Sequence, residues 1–331
     1  MDGIPGLRFS DPQLEAAVRG GLDRVERALH AAVASEFPLV AEAARHLVDA
    51  GGKRFRPVLT LLASRFGTDP DGEAVIAASV VVELTHQGTL YHDDVMDEAT
   101  VRRGADSANA RWGNALAILV GDFLFARASD VLADLGPEAV RIQARTFARL
   151  VTGQIRETVG PAPGDDPVEH HLAVLAEKTG SLIATAAELG AALSGAAPEV
   201  VEALRRYAET IGVAFQLSDD LLDVTSESTE SGKTPGTDLR EGVRTLPVLY
   251  ALAGTDPAEA RLRDLLAGPL TDDAALGEAL ALLRVSPALE AARDTLRDYA
   301  DRAQAELANL PDVPARDALA SLADFVLTRH A

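Results

Sequence analysis

Cysteine is absent from the 331 residues. That removes disulfides, thiol nucleophiles and cysteine-held metals, and it fits a reducing cytoplasm. Basic residues are scarce: 31 Lys and Arg face 51 Asp and Glu, a formal net charge of −20. Such a chain lacks the basic footprint of a nucleic-acid binder and has no electrostatic affinity for anionic lipid. Long apolar runs are missing as well. The longest, Ala74–Val82, is bounded by Glu73 and Glu83 and is too short to span a bilayer. The opening MDGIPGLRFSDPQ has no basic stretch followed by an apolar one, so no secretory signal is expected. Lysine is rarest among the cations. Only Lys53, Lys178 and Lys233 occur, the remaining basic residues being arginine. A compact ammonium in three Gly/Thr-rich contexts, GGKRFRP, EKTGS and SGKTPGTD, reads as selected rather than left over.

Ala, Leu, Glu and Arg dominate, and all are strong helix formers. Prolines punctuate the chain, but none falls between Pro70 and Pro137 or between Pro167 and Pro198. Period-two alternation is rare, so a sheet is not expected. The pattern predicts helices near 11–35, 37–50, 54–66, 73–100, 107–134, 137–158, 167–195, 198–226, 239–254, 257–267, 272–285, 287–309 and 314–329. The stretch 73–100 is apolar on most faces before His92, as in a buried central helix. No linker composition, repeat or low-complexity tract divides residues 1–331, so a single all-α domain is expected. The polar segment SESTESGKTPGTD, 226–238, reads as a flap over a site.

Two copies of Asp-Asp-x-x-Asp stand far apart: Asp93, Asp94 and Asp97 in HDDVMDEATVRRG, and Asp219, Asp220 and Asp223 in FQLSDDLLD. On a helix, positions i, i+1 and i+4 fall within about one turn, so three carboxylates are expected to converge. Such a cluster calls for a compensating cation, and Mg²⁺ commonly bridges carboxylates to substrate phosphates. With 29 Asp in the chain, chance yields two such motifs in about 2% of sequences. The flanking residues argue more strongly than the count. Gly51-Gly52-Lys53-Arg54-Phe55-Arg56-Pro57 puts three cations and two glycines at a helix start, which suits a diphosphate. Glu83 and His86 precede the first acidic motif, and Arg102-Arg103-Gly104 follows it. Gly153-Gln154 with Glu157, Lys178-Thr179-Gly180 and Gln216 lead to the second motif. Two acidic and at least two cationic sets imply two anionic substrates bridged by metal.

In these landmarks, GGKRFRP, LYHDDVMDEATVRRG, GQIRE, KTGSL and FQLSDDLLD followed by GKTPGTDLREG, the sequence resembles the trans-isoprenyl diphosphate synthases, or polyprenyl synthetases. The motifs cover roughly residues 40 to 250. The resemblance implies a single large helical bundle of the isoprenoid synthase type around a central apolar cavity, and a homodimer. It implies that Lys53, Arg56, His86 and Arg103 hold isopentenyl diphosphate. Arg102, Lys178, Thr179, Gln216 and Lys233 would serve an allylic diphosphate. Asp93, Asp94, Asp97, Asp219, Asp220 and Asp223 would hold Mg²⁺, and Asp93, Asp94, Asp97, Lys178, Asp219 and Asp220 would carry the chemistry. One departure stands out. The family often has Lys after the Glu-Gly of DLxEGK, whereas Val243 follows Gly242 here and Arg244 comes next. A one-residue shift on a helix turns a side chain by about 100°.

The expected activity is head-to-tail prenyl transfer to a medium- or long-chain all-trans polyprenyl diphosphate. In the family the product grows along the first motif's helix, past Thr89 and Gly88. Glycine there leaves no floor, and Phe123 or Phe125 would form a lower one. The alternative is a geranylgeranyl diphosphate synthase, with Gly88 serving only close helix packing. A class I terpene cyclase would have no use for Lys53, Arg56, His86 and Arg103, and a non-catalytic synthase subunit would be expected to have lost aspartates.

Overall fold

The computed structural model describes residues 6–226 and 235–328. Helices dominate, and their starts follow the prolines. Asp11 accepts the Gln13 amide ahead of α1 (Pro12–Ala32), and α2 (Pro38–Asp49) also begins on proline. Proline at a first turn loses no hydrogen bond, and an aspartate before it satisfies an otherwise orphaned N–H. The same device opens α8 (Pro167–Leu175), where Asp166 accepts from Val168 and Glu169.

Packing divides the chain into two compact units. The first comprises residues 1–148, 182–208 and 309–319. It contains α1, α2, α3 (Phe55–Ala63), α4 (Glu73–Met96), α5 (Ala108–Trp112) and α6 (Asn114–Ala133). At its heart is α4, buried continuously from Ala78 to Thr85 and packed against α1, α3 and α6. This is the buried central helix that the apolar stretch predicted. The helix stops at Met96 rather than near residue 100. A two-residue ladder follows, β1 (Val101–Arg102) paired antiparallel with β2 (Ala105–Asp106). Arg103 and Gly104 both take positive φ, 53° and 78°, the signature of a tight hairpin whose twist matches its strands. Among the described residues this is the one departure from an all-helical chain. The stretch expected as one helix over 107–134 is broken at Gly113, φ 84°.

The second unit comprises 149–181, 209–308 and 320–331. It contains α8, α11 (Thr237–Glu241), α12 (Leu246–Ala253), α13 (Ala260–Leu265), α14 (Asp273–Val285) and α15 (Pro287–Leu307). Four further helices, α7 (Pro137–Val159), α9 (Ser181–Leu193), α10 (Pro198–Thr225) and α16 (Pro314–Thr328), contribute residues to both units. The predicted helix 167–195 is α8 and α9 joined by a π-turn over Ala176–Gly180, centred on Lys178. π-Turns inside helices are uncommon and recur at functional positions. The predicted helix 239–254 is two helices, because Gly242 takes φ 77° and ends α11. No helix among the described residues is long and apolar enough to cross a membrane.

Candidate active site

In the first unit, the Gly-Gly-Lys-Arg turn is held from within. Arg54 has a left-handed backbone, φ 47°, and a buried side chain. Its Nε donates to Glu26 at 2.5 Å, and Nη2 donates to the same carboxylate at 3.2 Å and to the Val48 carbonyl at 3.0 Å. Nη1 donates to Glu83 at 2.9 Å and to the Gly51 carbonyl at 3.2 Å. All five N–H donors are thereby used. Arg103 reaches the same turn and donates to the carbonyls of Leu47, at 2.9 Å, and Gly51. Glu83 is buried, accepts also from Gln87 at 3.1 Å, and lies 3.9 Å from Arg103. Breaking a buried pair such as Arg54–Glu83 by removing one partner costs about 3–5 kcal/mol.

Arg56 contrasts with Arg54. Its Nε is buried without a partner. Burial and then the charge of Arg103 push its pKa down to about 10, against the pull of Glu83, so it stays charged at neutral pH. His86 is half-buried beside Arg56, Arg103, Arg102 and Arg54, and desolvation first, then those charges, hold its imidazole well below the usual value. It is neutral in the folded protein. Lys53 stands exposed on the turn. The structure thus brings Arg56, His86 and Arg103 together, with Lys53 beside Arg54.

The first acidic motif closes α4, with Asp97 as the capping residue. Asp94 is fully buried. Its Oδ1 accepts from Arg102 Nε at 2.6 Å, and its Oδ2 has no partner. Burial raises its pKa, and the Arg102 bond opposes that shift. Asp93 is half-buried and Asp97 exposed. One turn back, Gly88 faces α6 at very short range. A Cβ there would stand 2.8 Å from the Phe125 ring. Phe125 packs tilted against Phe147, ring centroids 4.7 Å apart, and meets His92 edge-on at 5.5 Å. Thr89 donates to the His86 carbonyl at 2.8 Å.

In the second unit, Lys178 sits on the π-turn and pairs with Glu157, which also accepts from Gln154 at 3.1 Å. Thr179 is half-buried on the same turn. Gln216 donates to Asp220 Oδ1 at 3.3 Å, beside the second acidic motif. The other oxygen of Asp220 faces His171 Nε2 at 3.3 Å. Asp219 is half-buried. Asp223 accepts the amides of Thr237 and Asp238, both at 3.1 Å, and so caps α11 from a distance. Lys233 and most of the expected flap lie outside the described residues. Val243 and Arg244 are exposed and lie between α11 and α12, not on a helix, so the expected rotation does not apply.

The expected convergence of three carboxylates is not seen. Among the described residues no three acidic or imidazole side chains gather closely enough to hold a metal ion by themselves. Asp94 is paired with Arg102, and Asp223 is engaged by backbone amides. The donor set still suits Mg²⁺, which keeps few carboxylate ligands and completes its shell with water and phosphate oxygens. The buried, unpartnered Asp94 Oδ2 is the observation that fits such an ion. Glu26 and His171 were not singled out from the sequence. Each acts on a partner at least 28 residues away, and local spacing carries no trace of that.

The sequence matches the polyprenyl synthetase family over residues 37–283. The chain belongs to that family, and it is a prenyl diphosphate synthase, a transferase of prenyl groups. Among its relatives is the nonaprenyl diphosphate synthase of Mycobacterium tuberculosis, 54% identical over 99% of this chain and 98% of that protein. A geranylgeranyl pyrophosphate synthase of Corynebacterium glutamicum, solved with calcium and isoprenyl diphosphate, superposes with a TM-score of 0.90. It is 50% identical, over 98% of this chain and 99% of that one. A decaprenyl diphosphate synthase of Rhodobacter capsulatus superposes at 0.87 with 36% identity, over 96% of this chain and 99% of that one.

Proposed function

We propose that residues 1–331 act as one synthase. It joins isopentenyl diphosphate head-to-tail to an allylic diphosphate and releases pyrophosphate, giving a medium- or long-chain all-trans polyprenyl diphosphate of about the nonaprenyl class. One observation carries the reading. The consecutive arginines of the hairpin part company, Arg102 to the acidic motif at Asp94 and Arg103 to the glycine turn at Gly51. One short element thus serves an acidic, metal-suited set and a cationic, metal-independent set, as two anionic substrates require.

In this reading Lys53, Arg56, His86 and Arg103 bind isopentenyl diphosphate, with Arg56 offering its unpartnered Nε–H. Mg²⁺ held by Asp93, Asp94, Asp97, Asp219, Asp220 and Asp223 supplies neutralising charge for the allylic diphosphate as it leaves. Asp223 also fixes the start of α11. Lys178, Thr179, Gln216, Arg102 and Lys233 serve the allylic side, the cations adding positive charge where negative charge grows. The double bond of isopentenyl diphosphate attacks the allylic carbon as its C–O bond breaks. A proton then leaves the new chain for the pyrophosphate. We further propose that the enzyme works as a cytoplasmic homodimer, with the exposed Ile118 and Leu119 of α6 in the subunit contact.

A second reading, geranylgeranyl diphosphate as product, is favoured by the Phe125 ring, which fills the space beside Gly88 where an open tunnel was expected. A single assay tests both. Purified enzyme is given isopentenyl diphosphate, farnesyl diphosphate and Mg²⁺, and the dephosphorylated products are separated by chromatography. Long products support the first reading and geranylgeraniol the second. Turnover that persists in excess EDTA would refute the metal's part.

A further inference from the structure

The family-matched region begins at residue 37, yet the cationic turn is gripped from α1, which lies before it. Glu26 on α1 takes two bonds from Arg54, at 2.5 and 3.2 Å. Arg54 in turn holds the carbonyls of Val48 and Gly51 and the buried carboxylate of Glu83. We propose that Glu26, Arg54 and Glu83 form a positioning brace that sets the shape and charge of the isopentenyl diphosphate site without touching the substrate.

Three features of the turn support the brace. First, Arg54 has no donor left for a ligand, since its five N–H groups are all bonded. Its cationic neighbour Arg56 retains a buried, unpartnered Nε–H. Of two arginines two positions apart, one is spent on the fold and the other is kept for an anion. Second, Arg54 sits in a left-handed conformation unfavourable to a side chain-bearing residue, between Gly52 at φ 136° and Phe55. Such strain persists only where the surroundings overdetermine it. The bidentate Glu26 pair supplies that constraint, and with it the direction of Lys53 and of the first turn of α3. Third, the charges balance to a purpose. Among the described residues, Glu26 and Glu83 are the carboxylates that act on Arg54, Arg56 and Arg103. One net positive charge therefore remains in this partly buried set before Lys53 is added. Glu83 also supports the charge on Arg56.

The inference rests on the proposed diphosphate role of Arg56 and Arg103, and the test separates the two ideas. Inorganic pyrophosphate is titrated calorimetrically into full-length enzyme in EDTA, so that only a metal-independent site reports. Steady-state constants are measured alongside for Glu26→Gln and Arg54→Lys. Glu26→Gln is the milder change, because its carboxylate is partly exposed. The brace predicts pyrophosphate binding weakened about 3- to 10-fold in Glu26→Gln and more in Arg54→Lys, with KM for isopentenyl diphosphate rising in parallel. The allylic KM and kcat stay within about twofold. If the wild type binds pyrophosphate and both variants bind it equally well, with only a lower Tm, the three residues merely support the fold and the proposal is overturned. If metal-free wild type shows no pyrophosphate binding, the assignment of the arginines falls, and the brace with it.

Discussion

Substituting alanine for Gly153 tests how the second unit places its lysine. Where α7 passes the π-turn, a Cβ at Gly153 would lie 2.6 Å from the backbone nitrogen of Lys178 and 2.8 Å from Glu177 Cβ. Ordinary contact begins near 3.4 Å, so the misfit is about 0.8 Å, and backbone atoms cannot rotate out of the way as a flexible side chain would. Either α7 or the π-turn must move by about that distance. Overpacking of this kind costs about 1–3 kcal/mol. In a chain of this size that corresponds to a fall in Tm of about 1–4 °C. The catalytic consequence is larger than the thermal one. Lys178 is carried by the displaced turn, and a misplacement near 1 Å at the reacting centre costs up to about 100-fold in rate. Gly153→Ala should therefore lower kcat about 10- to 100-fold, while KM for isopentenyl diphosphate stays within about twofold, its proposed ligands lying in the other unit. Differential scanning calorimetry and steady-state kinetics on one preparation give both numbers. An unchanged Tm would show that the approach is looser than argued. A lowered Tm with wild-type kcat would show that Lys178 does not serve the transition state.

Two further outcomes follow from the same geometry. Arg56→Ala should chiefly raise KM for isopentenyl diphosphate, whereas Lys178→Ala should act on the allylic substrate and on kcat; equal effects of both variants on both substrates would contradict the division of roles. His86 is held neutral in the folded chain while its unfolded counterpart takes up a proton below about pH 6.5, so stability contributed by this residue falls with pH below that point, by about 1.4 kcal/mol per unit. Urea melts across that window should show a shallower pH slope for His86→Gln than for wild type, and parallel slopes would sink the assignment.

Much of the helical frame was legible because its signals are local. Aspartate or serine followed by proline stands at the starts of α1, α8 and α15, where the structure shows side-chain caps bonded. Interruptions inside helices were harder to see. The π-turn at Lys178 has no breaker residue before it. It is the place where Gly153 of α7 passes, a fact about two segments some 25 residues apart. The hairpin after α4 is only two residues per strand, too short for any alternation to register. The motif residues were legible as a set, but their partners were not. Arg54 and Arg56 look equivalent in GGKRFRP. Only the positions of Glu26 and Glu83 distinguish the arginine that braces the turn from the one left with a free donor.

Gly88 shows most clearly where counting along the chain stops working. Its lack of a side chain, one turn before Asp93, reads from sequence as open space for a growing product. A packed interior does not leave such space unfilled. The structure puts the edge of Phe125 2.8 Å from where a Cβ would be, with Phe147 packed against that ring. The absent side chain is thus matched by a large one from α6. If the proposed product path runs past Gly88, product length at this level would depend on whether Phe125 swings aside rather than on residue 88 alone. Aromatic side chains turn about χ1 and χ2 between a few staggered positions, so such a gate would have discrete open and closed states. Gly88 permits the closed state, because any larger residue would collide with the ring. The space at this level of α4 is therefore a property of the Gly88–Phe125 pair, and neither position read alone reveals it.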